Sequence, residues 1–141
     1  PGEAESICRD ILALEPEHQL VLRVLGLAIT DQLTGSLADR YAEAEGIFQR
    51  LSDPYERLYY LGVLHEREAK AQLRAGRPPH ALFVLFEEAL GCFGEAEKIR
   101  PKGNDDAILR WNRCVRLLES HAASEWHRPP EVLDAGDSPP L

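Results

Sequence analysis

The sequence has no apolar run approaching the roughly 18 residues of a membrane span. Its opening residues, PGEAESICRD, lack the basic-then-apolar pattern of a secretory signal, so the expectation is a soluble, unexported chain. Cysteine is scarce: three residues, an odd number with no CxxC pair, cannot close a disulfide framework and favour a reducing compartment such as the cytoplasm. Basic residues are in deficit, 16 against 24 acidic, and the resulting formal charge of −8 repels phosphate backbones and anionic lipids. Neither nucleic acid nor membrane is therefore expected as a partner. With 141 residues there is room for one compact domain or a few small repeats, which excludes two independent enzyme domains. Hydrophobic residues at 44% and charged ones at 28% match a globular chain that folds.

Catalytic constellations are also lacking. A reaction centre needs a nucleophile beside a base, paired carboxylates in one pocket, or ligands at metal spacing. His65-Glu66 matches the opening of a zinc-protease helix, but Ala69 stands where the second histidine belongs. His65 lies on an apolar stripe and reads as a hydrogen-bonded core histidine. Cys8, Cys92 and Cys114 fall on separate segments and read as small buried hydrophobes. Gly91 and Gly94 sit inside a helical pattern, so they form no phosphate loop. The chain is expected to have no enzymatic activity, cofactor or metal.

What is present is helical periodicity, with no competing strand signal. Ala4, Ile7, Cys8, Ile11 and Leu14 make a first stripe, stopped by Pro16. Leu22, Leu25 and Ile29 make a second, ended by Thr34-Gly35, and Tyr41, Ala44, Phe48 and Leu51 a third. In SDPYE, Asp53 is a candidate cap, Pro54 suits the first helical position, and Glu56 completes a capping box. A long fourth helix is expected from Pro54 to about Ala75 and a fifth from Pro78 to Ile99 across the AGRPP turn. The sixth starts at Asn104 and packs through Ile108, Trp111, Val115 and Leu118. Periodicity stops near Ala122, giving a helical domain over residues 1–121 and a proline-rich, mobile tail over 122–141.

The segment around Leu22, Leu25-Gly26 and Ile29 recurs 36 residues later as Leu58, Leu61-Gly62 and His65. Ala4, Cys8, Ile11, Leu14, Pro16 recurs with the same spacing as Ala89, Phe93, Ala96, Ile99, Pro101. On these residues the chain resembles the tetratricopeptide repeat family from about Ala4 to Leu118. LxxLGxxI and LxxLGxxH are similar to that family's first helix, and EEALGCFGEAEKIRP to its second. The resemblance implies an all-α, right-handed superhelical stack of antiparallel helix hairpins with about six helices. Family repeats run ~34 residues, whereas Pro16, Pro54 and Pro101 lie 38 and 47 apart, so both central repeats are expanded. One expansion falls in DQLTGSLADR and the other around AGRPP. The chain also starts and stops out of repeat phase, leaving an unpaired face at either end.

The resemblance further implies a concave face made by the first helix of each pair. That face would carry Arg23, Leu27 and Thr30, then Tyr59, Val63, Glu66 and Arg67, then Leu109, Arg113 and Arg116. Val24, Leu27 and Tyr60 replace asparagines of the family's carboxylate clamp, so that clamp is not expected. The stripe Arg110, Arg113, Arg116 is suited to acidic side chains of a peptide. Function is read as a non-enzymatic protein-interaction module that holds a peptide or helical segment of a partner. The alternative is a structural role through self-association, a homo-oligomer with an idle groove. Phe83 and Val84 point away from the helix-pairing stripe of Leu82, Leu85, Phe86 and Ala89, and they need a cover. Trp126, Val132 and Leu133 of the tail are one candidate; a partner or second copy is preferred, because three apolar anchors hardly offset ~1 kcal/mol per residue of ordering entropy.

Overall fold

A computed structural model describes residues 2–33 and 38–121. Among these residues the secondary structure is entirely helical, as expected: α1 (Gly2–Leu14), α2 (Gln19–Thr30), α3 (Ala38–Gln49), α4 (Pro54–Arg74), α5 (Phe83–Lys98) and α6 (Asp106–His121). No helix among them is long and apolar enough to cross a membrane. The tail residues considered as a cover, Trp126, Val132 and Leu133, lie outside the described residues, as does the middle of the DQLTGSLADR loop.

Helix ends follow local chemistry, with one departure. His18 caps α2 by accepting the Val21 N–H on Nδ1 at 3.3 Å. Gly76, at φ 94°, closes α4: Arg77 N–H reaches back to Gln72 O and Gly76 N–H to Leu73 O, the paired bonds of a Schellman cap. Asn104 Oδ1 accepts from Asp106 N–H at 2.9 Å and from the Tyr55 hydroxyl at 3.2 Å, so the cap of α6 also ties it to α4. The capping box expected at Asp53 does not form, because its side chain makes no cap bond and Glu56 is taken by Arg23 of α2. Pro79–Leu82 form one 3-10 turn ahead of α5, since a proline at 78 and another at 79 leave no N–H donors to continue a regular ladder.

Each helix packs against its successor, and polar pairs give the directions. Arg23 meets Glu56 and Thr30 meets Arg67, so α2 and α4 run parallel. Tyr55 meets Asn104 and Tyr59 meets Arg110, so α6 continues that row. Glu5 meets Arg40 and Arg9 meets Glu43, which sets α1 parallel to α3 in the opposing row.

Two ring-into-notch contacts join the rows. The fully buried Phe48 of α3 lies against Gly26 of α2 so closely that a Cβ on Gly26 would overlap its ring. Phe93 of α5 does the same to Gly62, where a Cβ would stand 2.6 Å from Cε1. Around the first contact gather Leu22, Leu25, Ile29, Ala44, Ile47, Leu51 and Leu64. Around the second gather Val63, Ala89 and Cys114, with Tyr59 and Trp111 at the margin. A further cluster of Ala69, Leu82 and Phe86 holds the extended ends of α4 and α5 against Leu117 and Leu118. The first stripe is narrower than expected: only Cys8 of α1 is buried, while Ile7 and Leu14 remain exposed at 54% and 85%. This helix has one helical neighbour across the rows and an ionic link along its own, so a thin face suffices.

That link centres on Glu5. Its carboxylate accepts from Arg9 at 2.6 Å, Arg40 at 2.8 Å and Gln32 at 3.1 Å, and these guanidinium bonds hold it at about 2, well below the usual 4.5. A carboxyl depressed on folding adds stability that is complete above its unfolded value and lost as pH falls through its folded one. Acid titration should therefore weaken the α1–α3 contact between about pH 4.5 and 2, and Glu5→Gln should flatten that portion of the stability curve in urea denaturation.

The notches make an opposed pair of predictions. Gly62→Ala gains up to ~1 kcal/mol in helix propensity but overpacks a buried ring at a cost of ~1–3 kcal/mol, so its denaturation midpoint should fall. Gly91→Ala in α5 meets nothing within 4 Å and should raise stability by ~0.5–1 kcal/mol. Equal signs for the two would remove the notch argument.

Candidate binding cleft

The row α2, α4, α6 carries most of the candidate residues, because α4 alternates its faces at helical spacing. Val63 turns inward and is 1% exposed between α4, α5 and α6, so it offers no surface to a ligand. Leu27 is half-buried against the cores on both sides. Glu66, one turn beyond Gly62, opens towards the gap between α2 and α6, and Arg67, Lys70 and Arg74 follow it along the same side.

These residues line a cleft of about 340 Å³, completed by Thr30 and Asp31 from α2 and by Arg110 and Arg113 from α6. Its floor is Glu66, 1% exposed. Arg110 Nη1 lies 3.3 Å from one carboxylate oxygen and Lys70 Nζ 2.9 Å from the other. Arg110 is further fixed by donating from Nε to the Tyr59 hydroxyl at 2.7 Å. Opposite, Arg67 Nη1 donates to Thr30 Oγ1 at 2.7 Å and to Asp31 at 3.1 Å, while the Thr30 hydroxyl donates to Leu27 O. Arg74 and Arg113 are exposed and have no ion-pair partner among the described residues. Five cations thus face two carboxylates in a chain whose overall charge is −8.

Of the residues singled out in the sequence, the cleft brings together Thr30, Glu66, Arg67, Arg110 and Arg113 and leaves the others outside its lining. Arg23 is engaged with Glu56 at 3.0 Å, and Tyr59 contributes as an anchor for Arg110. Leu109 is 58% exposed and Arg116 is exposed, both outside the lining. Phe83 and Val84, at 41% and 64% exposure, lie at the start of α5 and are not among the residues that line the cleft. Sequence reading missed Lys70 and Arg74. Their signal was available: with Arg67 they repeat at three and four residues on one helical face.

On the other side of α4, His65 is hydrogen-bonded to the Tyr41 hydroxyl through Nδ1 at 2.6 Å, and burial pushes its pKa below the usual value. It lines a second hollow with Glu45, Glu88, Glu95 and Cys92. Burial raises the Cys92 thiol to about 11 and Cys114 to about 12, which leaves both protonated and poorly nucleophilic near neutrality. Among the described residues no three His, Cys, Asp or Glu side chains converge at metal-ligating geometry.

No protein-family model, curated protein or solved structure matches the chain.

The buried carboxylate yields a prediction. Glu66→Ala leaves Arg110 and Lys70 facing each other without their shared anion, but both are partly solvated and relax towards water. The expected loss is ~1–3 kcal/mol, below the full penalty of a wholly buried pair. Glu66→Gln, which keeps an acceptor at the same place, should lose less in the same urea titration.

Proposed function

We propose that the chain is a non-enzymatic protein-interaction module of the tetratricopeptide kind, a right-handed superhelical stack working in a reducing compartment such as the cytoplasm. The face of α2, α4 and α6 binds an acidic segment of a partner protein. The observation that carries this reading is the basic cleft between α2, α4 and α6, with Arg67, Lys70, Arg74, Arg110 and Arg113 against Asp31 and Glu66. The net charge of −8 repels anions at long range, whereas the local positive surplus attracts one that fits the cleft. The repeated contacts of Gly26 with Phe48 and Gly62 with Phe93 support the repeat reading, since the same small-residue notch receives the same aromatic in two successive hairpins. No catalytic step is assigned to any residue.

A second reading, self-association, draws support from Val84 and Leu109, exposed at 64% and 58%. One experiment separates the two. Fluorescence anisotropy with a labelled pool of Asp- and Glu-rich peptides should give saturable binding, and a Lys-rich pool should give none. Raising salt from about 0.05 to 0.5 M should weaken the binding as screening shortens the range of the field. The double variant Arg74→Glu, Arg113→Glu should lower affinity by about tenfold or more, equivalent to ~1.4 kcal/mol. Light scattering that reports a dimer without peptide, together with no anisotropy change, would favour self-association.

A further inference from the structure

The basic cleft has more positive charge than an ordinary acidic side chain neutralises. Of its five cations, Arg67 is balanced by Asp31, and Arg110 and Lys70 share the one carboxylate of Glu66. Arg74 and Arg113 have no counter-charge among the described residues, so the surplus is +3. A single carboxylate would leave +2. A phosphoryl group carries about −1.5 to −2 near neutral pH and presents three acceptor oxygens, which leaves a residual of about +1 to +1.5. Lys70 Nζ stands 2.9 Å from Oε2 of the buried Glu66. An ammonium has three N–H donors and this contact occupies one, so Lys70 keeps donors for an incoming oxygen. The volume of about 340 Å³ equals that of roughly ten waters, enough for a phosphoryl group with its ester link.

The surplus is also local. Further along the same face Arg23 is neutralised by Glu56, and the chain as a whole is at −8. A polyanion needs a continuous basic track and would meet repulsion beyond the cleft; one isolated dianion does not. Resting on the acidic-segment reading above, we propose that the group seated in this cleft is a phosphorylated side chain of a partner protein, gripped by Arg74 and Arg113 together with Lys70 and Arg110, which stand on the Glu66 floor.

The test compares fluorescein-labelled short peptide pools with randomised flanks and, at the centre, phosphoserine, serine or glutamate. The phosphoserine pool should bind at least about tenfold more tightly than the other two. Arg74→Ala and Arg113→Ala should each remove most of that preference, whereas Arg77→Ala, outside the cleft, should retain it; circular dichroism checks that all three variants remain folded. A glutamate pool that binds as tightly as the phosphoserine pool would overturn the inference and leave the acidic-segment reading standing. Failure of every pool, with the Asp- and Glu-rich peptides also silent, would overturn both. Inorganic phosphate competing at the same concentration as the phosphopeptide would assign the site to a free small anion, and single-stranded RNA binding equally well would assign it to a polyanion. Either result defeats the proposal.

Discussion

The insertion of an aromatic ring into a glycine notch is the contact on which the two rows of helices depend. At Gly26 and Gly62 the absence of a Cβ lets α3 and α5 bring Phe48 and Phe93 against the backbone of the facing helix. Each ring is fully buried and organises its own apolar cluster. Glycine inside a helix is unfavourable by roughly 0.5–1 kcal/mol, so its placement at both inter-row contacts makes sense only if close approach is worth more. The elongated α4 then joins both units, packing on α3 with one side and on α5 with another.

Because α4 is gripped on those sides, its remaining faces are held in fixed directions. One presents Glu66, Arg67, Lys70 and Arg74 to the gap between α2 and α6. Another presents His65 to Tyr41, Glu45 and Glu88. The two hollows have opposite electrostatic character although they share a helix. The basic one is ordered by its own counter-charges: Glu66 holds Arg110 and Lys70 from below, and Asp31 with Thr30 holds Arg67 from the side. Three of its five cations, Arg67, Lys70 and Arg110, are thus held in place, while Arg74 and Arg113 extend into solvent. The buried Glu66 is better understood as a device that positions cations than as a source of stability, since burying a charged pair contributes little net free energy.

Apolar periodicity, prolines and glycines determined by themselves that the chain is helical and where most helices begin and end. These are local properties: a stripe at three and four residue steps, or a proline without an N–H, acts the same way in any surroundings. His65 as a hydrogen-bonded buried residue was legible for the same reason, because its place on the Leu58–Leu61 stripe points it inward. Only the tertiary structure decided the partners. Glu56, legible as half of a capping box, went to Arg23 because α2 lies beside α4 and a guanidinium is a stronger partner for a carboxylate than a backbone N–H. Val63 became core and Lys70 became cleft because α5 and α6 cover one face of α4 and leave the adjacent one open, which no residue of α4 encodes alone. The positive surplus is likewise invisible along the chain, since its cations come from positions 67 to 113 in a sequence whose total charge has the opposite sign.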